Sequence, residues 1–219
     1  MSKAQAQAEI VAAGQRLIAT NLVAGSWGNI SLLVDDNTIA ITPSGLGYEK
    51  QQPEDIVLLD AAGAVKEGRR IPSSESPLHV AIYKACPEAR AIIHTHSIYA
   101  SALAAMRQRV PAIIEDIVQI IGGPVACADY ALPGTQELAD NVVKVMGGRK
   151  AVLMANHGAV CWGKTLEDAF IVAQVLEKAA QIAIICASCG GAVELSQEDA
   201  TIMHSFYEDH YSRRQLGKE

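Results

Sequence analysis

The sequence predicts one α/β domain spanning residues 1–219. Three observations carry this. Short apolar runs of strand length alternate with longer segments of helical periodicity along the whole chain. No internal repeat, low-complexity stretch or linker interrupts the alternation. The 219 residues, 50% hydrophobic and 19% charged, are enough to bury most of the unfolded surface in a single core.

Residues 4–22 place Ala8, Val11, Ala12, Leu17, Ile18 and Leu22 at helical spacing before Gly25, which predicts a helix. From Asn29 to Ile41 the apolar residues are β-branched or Leu around Asp35-Asp36-Asn37, a hairpin signal that Thr42-Pro43-Ser44-Gly45 brings to an end. Ile56 to Leu59 is a third strand, and Ala61-Ala62-Gly63 turns into a further extended piece. Ser74 to Ala85 reads as a helix with Ser74 as cap and Pro77 early enough to be tolerated. Ala91 to His94 is a buried strand, Ser97 to Met106 a helix, and Val118 to Ile121 and Val125 to Cys127 are extended around Gly122-Gly123-Pro124. Thr135 to Met146 is helical, Ala151 to Ala155 is a strand closed by Asn156-His157-Gly158, and Thr165 to Cys189 is a long helix ended by Gly190-Gly191. A last helix runs from Ser196 to about Tyr211. Taken alone, this alternation draws a sheet of rather parallel character.

Composition excludes several classes of function. The net charge is −6, and basic residues are scattered apart from pairs such as Arg69-Arg70 and Arg213-Arg214, which argues against nucleic acid or an anionic membrane as partner. The uncharged stretch from Ala179 to Val193 is shorter than a bilayer span, and the opening MSKAQAQAEI has no apolar run behind a basic end. Five irregularly spaced cysteines fit reduced thiols in the cytoplasm, and Cys186 and Cys189 read as core thiols. No glycine loop of the dinucleotide or ATP type is present.

The chemistry concentrates at strand ends. In an extended chain His94 and His96 project to one face, a metal-chelating arrangement. His157 also ends a strand and precedes Gly158; three imidazoles with an open position make a catalytic rather than a structural zinc site. Glu75 lies at a helix start in Ser73-Ser74-Glu75, where free N–H groups and two hydroxyls suit an anion. Gly25-Ser26-Trp27-Gly28-Asn29 and Thr42-Pro43-Ser44-Gly45 are turns of the same character. His79, one turn beyond Glu75, reads as a helix-packing residue.

Gly28-Asn29-Ile30-Ser31, Thr42-Pro43-Ser44-Gly45, Ser73-Ser74-Glu75, His94-Thr95-His96 and Asn156-His157-Gly158 occur in the order and approximate spacing of the class II aldolase/adducin-head family, which the chain resembles from about residue 5 to 211. The resemblance implies a three-layer α/β fold with a central, mainly antiparallel sheet flanked by helices, and this expectation replaces the more parallel one. It implies Zn2+ on His94, His96 and His157, with Glu75 as ligand or acid/base, and phosphate held by Gly28, Asn29, Ser44, Gly45, Ser73 and Ser74. It further implies a homotetramer with active sites at subunit interfaces, and a lyase that splits a ketose 1-phosphate, of the fuculose or deoxypentulose kind, into dihydroxyacetone phosphate and an aldehyde. Epimerases, decarboxylases and dehydratases of the family share the metal-stabilised enediolate, and a non-catalytic interaction module of this fold would lack the three histidines.

The chain departs from the family pattern in two places. Where aldolases of the family carry an acid/base tyrosine shortly after Pro-Ala-Ile, this chain reads Pro111-Ala112-Ile113-Ile114-Glu115-Asp116, so Glu115 or Asp116 takes the expected role. A family tyrosine near the C-terminus matches Tyr211, with Tyr207 as competitor.

Overall fold

The computed structural model describes residues 1–211, with side chains described through Asp209. Helix α1 (Lys3–Ala19) starts behind Ser2, whose Oγ accepts the Gln5 N–H. Strands β1 (Asn29–Asp35) and β2 (Thr38–Ile41) form the expected hairpin, followed by β3 (Val57–Leu59) and β4 (Val65–Glu67). Then come α2 (Ser76–Ala85), β5 (Ala91–Thr95), α3 (Ile98–Ala105), β6 (Cys127–Ala128), α4 (Gln136–Met146), β7 (Ala151–Met154), β8 (Gly158–Gly163), α5 (Leu166–Ser188) and α6 (Gln197–Phe206). Thr135 and Thr165 cap α4 and α5 with their hydroxyls, as their positions ahead of apolar runs foretell.

All eight strands join one sheet in the order β4-β3-β2-β1-β5-β8-β7-β6. Every neighbouring pair is antiparallel except β6 and β7, so the sheet is mixed and mainly antiparallel. Alternate residues serve opposite layers: Ile93 packs with α1, α3 and α5, whereas Ile92 packs with α2 and α4. This is the three-layer arrangement, with a mainly antiparallel centre, that the family resemblance implies. Helix α5 has the length and mean hydropathy, 1.7, of a membrane span. It lies against β8, β5 and α3 with Phe170, Val172, Leu176 and Ala180 buried, which accounts for its apolar character.

Four expectations are corrected. Val118–Ile121 is not extended: Ile117–Ile121 is a wide helical turn that buries Ile117, Val118 and Ile121 against α5 and α6. Its β-branched composition is satisfied by core packing as well as by a strand. Gly158, read as part of the turn that closes the preceding strand, instead opens the six-residue strand β8 (Gly158–Gly163), which the sequence reading did not assign. Helix α2 begins at Ser76 with Glu75, not Ser74, at the cap. Cys189 is exposed and Cys186 half-buried, so neither is a core thiol in this chain.

Candidate active site and metal centre

Antiparallel pairing brings the start of β1, the end of β5 and the start of β8 to the same edge of the sheet. Asn29 stands opposite His94, and Thr95 opposite Ala159. His94 and His96 therefore meet His157, which lies in the turn from β7 to β8. In that turn Asn156 adopts a left-handed conformation, φ 55°, tolerable for asparagine. Two glycines permit the close approach. A Cβ on Gly158 would lie 2.3 Å from the Thr95 carbonyl oxygen, and one on Gly28, at φ 80°, 2.5 Å from that of His94.

The three imidazoles present ligand atoms that all lie within 4.8 Å of one another. His94 Nδ1 donates to the Ala159 carbonyl at 2.9 Å, which leaves Nε2 as the free lone pair, 2.9 Å from His96 Nε2. Burial first, then the neighbouring His94, push His96 down to about 3 and His157 down to about 4. Neutral rings at neutral pH are the form that ligates a metal. Glu75, turned from the helix it caps, sets Oε2 3.1 Å from His94 Nε2 and Oε1 3.5 Å from His157 Nε2. Burial pushes its carboxyl up, but the His94 ring, His157 and the Asn29 amide outweigh this and hold it well below the usual carboxylate range. Glu75 Oε1 and His157 Nδ1 are buried without a hydrogen-bond partner. An orphaned carboxylate oxygen beside three converging imidazoles fits a divalent cation and its attached ligands.

Above this cluster lies a cavity of about 600 Å³ whose wall includes all six expected phosphate residues, Gly28, Asn29, Ser44, Gly45, Ser73 and Ser74, together with Glu75, His96 and His157. Backbone bonds stitch its loops together: Ser44 N–H donates to Ile71 O, Ser73 N–H to Thr42 O and Thr42 N–H to Ile30 O. Among the described residues lining it none is Lys or Arg, and those residues offer an anion hydroxyls and backbone N–H groups. Asn29 is buried and gives one amide hydrogen to Glu75 Oε2 at 2.8 Å.

Glu115 is exposed and does not line the cavity, and Asp116 is paired with Lys178 at 2.5 Å. Tyr207 follows α6, away from the cavity wall, and the side chain of Tyr211 lies outside the described residues. Sequence reasoning missed three contributors. Trp27 stands with its ring centroid 5.7 Å from that of His96. The carboxylate of Glu177 on α5 accepts both the Tyr99 and Ala100 N–H groups at 2.9 Å, clamping the start of α3 just after His96. Ser31, His79 and Tyr83 form a buried polar chain behind Asn29. The spacing of Glu75, His79 and Tyr83, each four residues apart on one face of α2, was the signal available for that chain.

Residues 8–184 match the profile of the class II aldolase and adducin N-terminal domain. The chain belongs to this family. It is similar to a 5-deoxy-D-ribulose 1-phosphate aldolase of Bacillus thuringiensis serovar kurstaki, 41% identical over 80% of this chain and 82% of that one. It is also similar to an L-fuculose phosphate aldolase of Escherichia coli K12, 34% identical over 83% of this chain and 85% of that one. A solved L-fuculose 1-phosphate aldolase superposes with a TM-score of 0.92 at 37% identity, covering 95% of this chain and 98% of its own.

Proposed function

We propose that the chain is a zinc-dependent aldolase that reversibly cleaves a ketose 1-phosphate, of the L-fuculose or 5-deoxypentulose kind, into dihydroxyacetone phosphate and an aldehyde. The observation that carries this is the cluster of three imidazoles and Glu75 at the base of a cavity walled by the serine-bearing turns. The relatives' names favour a phosphorylated sugar. Hydroxyls of Ser44, Ser73 and Ser74 and the backbone at Gly28 and Gly45 hold the phosphate, and His94, His96 and His157 hold the ion. A divalent ion there supplies electrophilic stabilisation of the negative charge that cleavage leaves on the three-carbon fragment. Glu75 moves the proton at the carbon that becomes nucleophilic, from a carboxylate already ionised and oriented by Asn29.

Glu115, exposed and not among the residues lining its own cavity, serves the aldehyde oxygen of a neighbouring subunit's site, with Asp116 and then Tyr211 as the alternatives. A homotetramer would cover exposed apolar side chains such as Ile71, Ile98 and Leu132, which are 78%, 69% and 63% exposed in the single chain. Five unpaired cysteines favour a reducing compartment such as the cytoplasm.

The test is a panel of ketose 1- and 5-phosphates and their unphosphorylated forms, with metal analysis of the purified protein. About one zinc per chain, cleavage of 1-phosphates, and a KM raised by Ser73→Ala with Ser74→Ala are expected. Equal turnover of phosphorylated and unphosphorylated ketoses would reject the reading.

A further inference from the structure

We infer that His79 is a positioning residue, the middle of a one-way chain of hydrogen bonds from Tyr83 through Ser31, His79 and Asn29 that aims an N–H at Glu75 and fixes that carboxylate beside the histidines. The inference rests on the role proposed for Glu75.

The chain is assembled from two elements in register. Asn29 and Ser31 lie two apart on β1, and Glu75, His79 and Tyr83 lie four apart on α2, so each side chain of one set falls between two of the other. Tyr83 OH is 2.8 Å from Ser31 Oγ, which is 2.6 Å from His79 Nδ1. His79 Nε2 is 2.5 Å from Asn29 Oδ1, and Asn29 Nδ2 is 2.8 Å from Glu75 Oε2. Chemistry sets the direction. A carboxylate only accepts, so Asn29 must turn its NH2 to Glu75 and its carbonyl to His79. His79 Nε2 must then carry the hydrogen. The ring is fully buried, and burial pushes it down to about 3, so it is neutral and Nδ1 is an acceptor. Ser31 therefore donates to His79 and accepts from Tyr83, whose hydroxyl burial keeps protonated.

Every bond points the same way, and each polarises the next towards the carboxylate. Without His79 the buried Asn29 Oδ1 has no donor, and the amide is held by its bond to Glu75 alone. An amide anchored at one end is free to turn about that bond, and the carboxylate it holds beside His94 and His157 is fixed less firmly. A buried chain of this kind is not needed for packing, because apolar residues of similar volume would fill the layer as well.

The experiment reads the tautomer and zinc affinity, neither of which depends on turnover. In the purified protein, ring 15N shifts of His79 are expected to show a protonated Nε2 and an unprotonated Nδ1; a protonated Nδ1 overturns the inference. Zinc titrated against a chromophoric chelator should bind His79→Leu about 10- to 100-fold more weakly than the wild type, the scale for losing an outer-shell partner. His79→Gln, which still offers an N–H to Asn29, should recover most of that loss. Equal affinity in His79→Leu and wild type, or equal loss in Leu and Gln, would overturn the role. If His79→Leu does not fold, Ser31→Ala, which leaves His79 Nδ1 without its donor, decides: weaker zinc binding supports the chain, and unchanged binding refutes it. An inactive wild type with these results would reject the aldolase reading alone.

Discussion

Gly158→Ala adds one methyl group where β8 begins, and the structure fixes what that methyl meets. The new Cβ would stand 2.3 Å from the Thr95 carbonyl oxygen and 3.4 Å from His94 Cε1, where ordinary contacts begin at 3.4 Å. The closer neighbour is backbone and has no rotamer to escape into. The ends of β5 and β8 must part by about 1 Å, an overpacking strain of about 1–3 kcal/mol. Loss of chain freedom in the unfolded state offsets about 0.4–1 kcal/mol. A net cost of about 1–2 kcal/mol corresponds to a Tm lower by about 2–8 °C in a domain of this size. The displacement also separates His94 from His157 and from Ala159, whose carbonyl holds the His94 ring. Zinc affinity should fall by about 10- to 100-fold. Thermal melting and zinc competition measure the two effects, with Gly148→Ala, where a Cβ has no atom within 4 Å, as the neutral control. A Gly158→Ala protein that melts and binds zinc like the wild type would refute the steric argument.

Glu75→Gln should still load with zinc on the three imidazoles when metal is in excess, with an affinity lowered at least as far as in His79→Leu, yet lose about 100-fold in turnover, checked by metal analysis and steady-state kinetics. Glu115→Gln should slow carbon–carbon cleavage by about 100-fold and spare exchange of the dihydroxyacetone phosphate proton with solvent, which involves no aldehyde oxygen; parallel loss of both would assign Glu115 a structural role. Burial would raise the Glu208 carboxyl, but its bonds to Lys150 at 2.8 Å and Lys164 at 2.7 Å hold it down to about 2. Because the folded value lies below the unfolded one, the stability Glu208 contributes is complete above about pH 4.5 and disappears as pH falls towards 2. The Tm gap between wild type and Glu208→Gln should accordingly narrow from pH 6 to pH 3.5, and a constant gap would contradict the ion-pair account.

What the sequence made legible was local. Thr135 and Thr165 announce their helices because a hydroxyl ahead of an apolar run has one obvious use. Strand direction was not legible from the residues, since a run such as Ala91-Ile92-Ile93-His94 reads the same whichever way its neighbour points. The family resemblance supplied the antiparallel centre, and β8 was lost because glycines at both its ends look like punctuation. At the site, His-x-His spacing exposed the first two imidazoles through strand geometry alone. Their meeting with His157 depends on the pairing of β5 with β8, more than sixty residues apart in sequence, which no local pattern encodes. Glu177 was invisible for the same reason: a lone carboxylate on a long apolar helix looks like a solvated residue until α3 is placed against it.

The Glu177 clamp makes the placement of one helix along its own axis a condition on a ring in another layer of chain. Advancing α5 by a single residue step, about 1.5 Å, would carry the carboxylate out of reach of amides now 2.9 Å away. Helix α3 would lose the side-chain anchor that Glu177 gives its first turn, and His96, two residues before that turn, would swing with it. Ala173, Ala179 and Ala180, all buried on α5, thus act as spacers whose smallness sets the seating of the helix. Homologues that enlarge one of them must shrink a facing residue to keep the imidazole in place, so variation along α5 should be correlated with variation in the layer beneath it, although none of these alanines lines the cavity.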